Sequence, residues 1–129
     1  MLRELEARAG DAIEMARAAG ADDAWASASR SNGVEVEVRD GQVEKLQEST
    51  SRGLSIRVYV DGRYATYRTS DLRPEPLRAF VRDAVAMTRA LEPDPFREIP
   101  DPALYEGRSD VDLELHDPAV LQLTPDQRL

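Results

Sequence analysis

The chain has 129 residues, 41% of them hydrophobic, and a formal net charge of −8. That is one domain's length with enough apolar material for a core, and it argues against wholesale disorder. The chain has no cysteine and one histidine, which excludes disulfides, thiolate nucleophiles, Cys-ligated zinc and a multi-His zinc site within a single chain.

In chain order, Leu2, Leu5, Ala9, Ala12, Ile13, Ala16 and Ala19 recur at helical spacing, with Gly20 placed to cap the C-terminal end. Five strands are expected next: 24–31, 34–39, 42 to about 51, 54–60 and 63–69. They are marked off by Asn32-Gly33, Asp40-Gly41 and Asp61-Gly62, dipeptides suited to the positive φ angles of a type I′ hairpin turn. Strict alternation in Val34, Val36, Val38 and in Leu54, Ile56, Val58, Val60 predicts one buried sheet face. A second helix opens near Pro74 and carries the stripe Leu77, Phe80, Val81, Ala84, Val85, Thr88, Leu91, until Pro93 and Pro95 stop it. The expected fold is α+β: a two-layer sandwich in the order α-β-β-β-β-β-α, an antiparallel meander of about five strands with two helices on one face.

Composition shifts near Leu91. Residues 1–91 hold 15 acids and 14 bases, whereas 92–129 hold 10 acids, 3 bases and six of the eight prolines. The reading is an α+β domain over 1–91 and an acidic, Pro-rich connector over 92–129. Thr124-Pro125-Asp126 has the form of a helix start, which predicts that the chain is a piece of a longer protein. No apolar run approaches the roughly 20 residues of a membrane span, and the N-terminus has no signal-peptide core. A cytoplasmic protein with no membrane partner is expected.

Chemistry is sparsely marked. No Gly-rich phosphate loop or nucleophile elbow is present. His116 has no paired nucleophile and reads as a polar residue on an extended segment. Asp110, Asp112 and Glu114 alternate with apolar residues, as in an acid-guarded edge strand or, less readily, a hard-cation site. No catalytic residue, metal ligand or cofactor is assigned to this chain. The most distinctive surface is the last hairpin. A two-residue Asp61-Gly62 loop sets Tyr59 opposite Tyr64 and Arg57 opposite Thr66. Arg57, Tyr59, Tyr64 and Arg68 then share the face opposite Ile56, Val58 and Val60. This is a candidate partner- or peptide-contact face; the alternatives are a plain sheet surface, where the cross-strand Tyr pair stabilises the sheet with no ligand, and stacking of single-stranded nucleic acid, opposed by the acidic net charge. Arg30 is expected to face Glu35 across Asn32-Gly33.

The segments VEVRDGQVEKLQES and SRGLSIRVYVDGR, and the Thr69-Ser70-Asp71-Leu72 lead-in to a helix, resemble the N-terminal domain of the TldD/PmbA family. The acidic stretch ALEPDPFREIPDPALY resembles that family's connector, and DVDLELHDPAVLQLTPDQRL resembles the PmbA (TldE) branch. The resemblance implies a front domain of a much longer protein, from a family also called modulators of DNA gyrase. It implies a complex in which a TldD-type subunit supplies zinc through an HExxxH helix and unfolded or modified peptides are degraded. This chain contains no HExxxH. Its implied role is non-catalytic, with a TldD-type subunit or a second copy as partner and unfolded peptide as substrate.

Overall fold

The computed structural model describes residues 2–107, 109, 111–115 and 117–128; Asp110 and His116 lie outside the described residues. The elements are α1 (Leu2–Ala18), β1 (Asp23–Arg39), β2 (Gln42–Val60), β3 (Arg63–Thr69) and α2 (Pro74–Arg89), followed by three short 3-10 turns. The strands form one sheet in the order β1-β2-β3, with β2 and β3 antiparallel over Leu54–Val60 and Arg63–Thr69. The class is α+β as expected, but three strands stand where five were predicted.

The missing breaks have a physical cause. Asp40, Gly41, Asp61 and Gly62 all adopt positive φ, whereas neither Asn32 nor Gly33 does, so no type I′ turn forms there. Instead Asn32 is threaded into the ribbon, its side-chain oxygen accepting from the Thr50 hydroxyl at 3.1 Å, next to a Ser31–Ser51 hydroxyl contact of 2.7 Å. Gly33 answers a need for space: a Cβ at that position would lie 3.1 Å from Ser49 Oγ. The predicted gap between residues 51 and 54 likewise runs straight through as β2. With the first hairpin gone, Arg30 does not face Glu35 across a turn, and Glu35 pairs with Lys45 at 3.0 Å.

Two compact units emerge, Met1–Asn32 with Thr50–Ile99, and Gly33–Ser49 with Pro100–Leu129. The first holds the core. On β2, Leu54, Ile56, Val58 and Val60 are buried; α2 buries Leu77, Val81, Ala84, Val85 and Thr88, and α1 contributes Ala12 and Ala16. Each Leu, Ile or Val so buried contributes about 1.5–3 kcal/mol. The small alanines let α1 and α2 pack closely, and α2 also packs on β3. Thr88 is the one polar member of the described core. Its hydroxyl donates to the Ala84 carbonyl at 2.8 Å. The same hydroxyl is placed to donate to the Tyr67 hydroxyl at 3.2 Å, so its single proton serves the two acceptors in turn.

Both helix ends of this unit are chemically specified. Gly20, at φ +91°, closes α1: its N–H donates to the Arg17 carbonyl and the Ala21 N–H to the Ala16 carbonyl, the paired bonds of a Schellman cap. Ahead of α2, Thr69 Oγ1 accepts from the Asp71 N–H, and Asp71 accepts from both the Arg73 N–H and its guanidinium. The Arg73 side-chain and main-chain hydrogen bonds hold the Asp71 carboxyl down at about 2 and raise Arg73 in turn.

In the second unit the β1–β2 ribbon turns at Asp40-Gly41, with Arg39 paired to Glu44 at 3.2 Å. Val34, Val38, Val43 and Leu46 are all exposed, so the buried sheet face expected at Val34, Val36 and Val38 is absent there. The two strands are a bare ribbon at this point, and a two-stranded ribbon has no layer of its own to hide a face against. In residues 100–129, Asp101 and Asp117 each cap a 3-10 turn by accepting from the N–H two residues on. The expected helix start at Thr124-Pro125 is a 3-10 turn over Pro125–Arg128, with Gln127 Oε1 accepting from the Thr124 N–H. No helix among the described residues is long and apolar enough to cross a membrane.

Candidate functional site

The β2–β3 hairpin is built as its sequence dictates. Positive φ at Asp61 and Gly62 closes a two-residue turn, and the register sets Tyr59 opposite Tyr64, Arg57 opposite Thr66 and Ser55 opposite Arg68. Because alternate residues point to opposite faces, burying Ile56, Val58 and Val60 leaves Arg57, Tyr59, Tyr64 and Arg68 together on the other face. The Tyr59 and Tyr64 rings pack with centroids 5.0 Å apart at an interplanar angle of 49°, within the range of favourable aromatic pairs. The Tyr64 hydroxyl lies 3.0 Å from Thr66 Oγ1.

Two residues the sequence reading did not single out complete the face. The Arg57 guanidinium lies over the ring of Trp25 at 4.7 Å, and that of Arg97 over Tyr64 at 5.2 Å. Both separations suit cation–π attraction. Trp25 had a signal: it alternates with Ala24, which is buried, and so belongs to the outer sheet face. Arg97 had none, because it arrives through a non-periodic segment. That segment is anchored where the Asp94 N–H donates to the Gly62 carbonyl at 2.8 Å and Arg63 Nε to the Leu91 carbonyl at 2.7 Å. A cavity of about 240 Å³ opens beside the turn, bordered by Tyr59, Arg63, Arg97 and Ile99. Arg68 shares the face but stands apart from the aromatic group, beside a separate cleft of about 290 Å³ bordered by Ser27, Ser29 and Ser55.

The acidic alternation does not form a strand. Residues 111–115 have no regular structure, and Glu114 adopts φ +53°. Asp112 accepts from the Glu114 N–H at 2.9 Å, a local turn that spoils the strand alternation. The donors present do not fit a zinc site: the sequence has one histidine and no cysteine, and no group of three His, Cys, Asp or Glu converges among the described residues.

A family profile described as PmbA/TldA metallopeptidase domain 1 matches residues 26–88. Metalloprotease PmbA of Escherichia coli O157:H7 is 30% identical over 125 residues, 97% of this chain and 27% of that protein; the chain thus spans about a quarter of that curated relative. Among solved structures, a protein from Bacteroides thetaiotaomicron described as a modulator of DNA gyrase superposes with a TM-score of 0.87 at 32% identity, covering 95% of this chain and 28% of that one. TldE from Thermococcus kodakarensis shares the fold, with a TM-score of 0.64 at 19% identity over 74% of this chain and 22% of its own. The architecture, the hairpin sequence and these likenesses converge: the segment 26–88 carries the first domain of the PmbA/TldD metallopeptidase family, to which this chain belongs.

Proposed function

We propose that this chain is the non-catalytic N-terminal domain of a PmbA/TldE-like subunit, part of a cytoplasmic TldD/TldE-type zinc metallopeptidase complex that degrades unfolded or modified peptides. The observation that carries the reading is the Trp25–Arg57 and Tyr59–Tyr64–Arg97 surface on an open sheet face, with no three metal-ligating donors converging among the described residues. Aromatic rings offer sequence-tolerant apolar contact, and guanidiniums offer donors to carbonyls and carboxylates. An unfolded peptide or a partner subunit presents those same groups. On this reading zinc belongs to the TldD-type partner, and the two-layer packing of helices on the sheet makes this domain a rigid wall for the chamber. The core shared by α1, α2 and β2 supports that arrangement.

The test is fluorescence anisotropy of a labelled unstructured peptide against the wild-type chain and a Tyr59→Ala/Tyr64→Ala variant. Loss of binding with an unchanged melting curve supports the face; full retention moves the contact elsewhere. The cation–aromatic pairs also favour a second reading, single-stranded nucleic acid stacked on the same rings. Tight, salt-sensitive binding of oligo-dT, set against a net charge of −8, is the result that would establish it.

A further inference from the structure

Period-2 alternation places Thr50 and Arg52 on the same face of β2 as Leu54, Ile56, Val58 and Val60, and Arg30 on the same face of β1 as Ala24, Ala26 and Ala28. Leu54 and Ala24 are buried, whereas Arg30, Thr50 and Arg52 are exposed. The inner face of the sheet therefore changes from aliphatic to cationic where the core ends. At that boundary the structure has a cleft of about 450 Å³. Arg8 from α1 and Arg73 from the lead-in to α2 also border it, so four arginines line one concave site in a chain of net charge −8. Its apolar border is Leu5 and Leu72, with Thr50 as a neutral hydroxyl and Glu4 as the opposing charge.

Like charges at this density repel unless anions intervene, and at Arg52 no carboxylate among the described residues does so by direct pairing. Asp11 takes one nitrogen of Arg8 at 3.1 Å, and Asp71 takes Arg73. No carboxylate lies within ion-pair distance of Arg52 among the described residues. Arg52 nevertheless lies close enough to Asp71 to help hold that carboxyl low.

We infer that this cleft is a binding site for an acidic peptide segment, a carboxylate held by Arg52 and apolar side chains resting on Leu5 and Leu72. Arginine matches carboxylates by bidentate hydrogen bonding. A volume of about 450 Å³ exceeds what one small anion needs and lies in the range of organic-ligand sites. Glu4 inside the rim disfavours a dense phosphate charge, and the leucines suit side chains that a nucleic acid backbone lacks. The site shares no residue with the Tyr59/Tyr64 face, so its test stands whether or not that face binds.

The experiment is fluorescence anisotropy on the 129-residue chain with fluorescein-labelled hexaglutamate, hexalysine and oligo-dT, and with inorganic phosphate as competitor. Arg52→Gln and Arg30→Gln are compared with wild type, with far-UV circular dichroism and melting to confirm folding. Hexaglutamate alone is expected to bind, weakening at least tenfold in Arg52→Gln and recovering in part in Arg52→Lys. Binding unchanged in both Gln variants overturns the site, as does no binding of hexaglutamate. Oligo-dT binding more tightly than hexaglutamate, or full displacement by phosphate at equal concentration, overturns the peptide assignment.

Discussion

Thr88 and Tyr67 offer a sharp check on the packing of α2 against β3. Thr88 is fully buried, its one proton shared between the Ala84 carbonyl at 2.8 Å and the Tyr67 hydroxyl at 3.2 Å. Tyr67→Phe removes one neutral hydrogen bond and leaves Thr88 with its donor satisfied, so it should cost about 1 kcal/mol. Thr88→Val keeps the shape of the side chain and leaves the Ala84 carbonyl its main-chain helical partner. It strips the Tyr67 hydroxyl of its partner, and because Tyr67 is only partly buried water can compensate in part. The expected cost is about 0.5–1 kcal/mol. The double variant should be no worse than the poorer single one, giving a coupling energy of about 0.5–1 kcal/mol. Urea denaturation with a constant m-value measures all four proteins. Single-variant costs that add to within about 0.3 kcal/mol would refute the hydrogen-bond chain.

Three further outcomes follow from local geometry. Gly20→Ala places a side chain at φ +91°, with its Cβ 2.5 Å from Arg89 Nη2; since that guanidinium can swing away, the backbone strain dominates, and calorimetry should show a loss of about 1–2 kcal/mol. Leu77→Ala empties a fully buried site and should cost about 2–5 kcal/mol, whereas Leu46→Ala, at 44% exposure, should change urea stability by no more than about 1 kcal/mol. Asp71, held at about 2 against an ordinary 3.8, contributes stability that is complete above the ordinary value and is lost as pH falls from about 4 toward about 2. Asp71→Asn should flatten that limb of the stability–pH profile; an unchanged profile would show that the Arg73 contact does not persist in solution.

The legibility of the sequence varied with what each signal depended on. The β2–β3 hairpin was readable to the exact cross-strand pair because Asp61-Gly62, the alternation and the core face are all local and mutually consistent. Asn32-Gly33 misled because the dipeptide fits a turn without requiring one. Whether it turns depends on partners about eighteen residues away, and Thr50 and Ser51 supply them. The acidic alternation after residue 109 imitated a strand, but at 111–115 a local bond from the Glu114 N–H to Asp112 and a positive φ at Glu114 turn the chain instead. Of the candidate face, Arg57, Tyr59 and Tyr64 could be read from register, and Arg68 lies on the same sheet face, though away from the rings. Arg97 could not be read because loop closure, not periodicity, carries it to Tyr64. The arginine cleft escaped for a related reason: Arg8, Arg30, Arg52 and Arg73 come from four separate stretches of chain.

The pairing of α1 with α2 fixes an order of events during synthesis. The two helices pack together, yet 55 residues separate Ala18 from Pro74, and closing a loop of that length costs about 3–4 kcal/mol of chain entropy. The hairpins in between can form as they leave the ribosome, since their contacts are local. Ala12, Ala16 and the Ile56–Val58 face must wait until Val81, Ala84 and Val85 have emerged. A nascent chain halted before Pro74 therefore carries a sheet with one bare aliphatic face, which is the surface that chaperones hold and proteases find. Helix α2 is the element that converts this segment from a substrate of protein quality control into a stable domain.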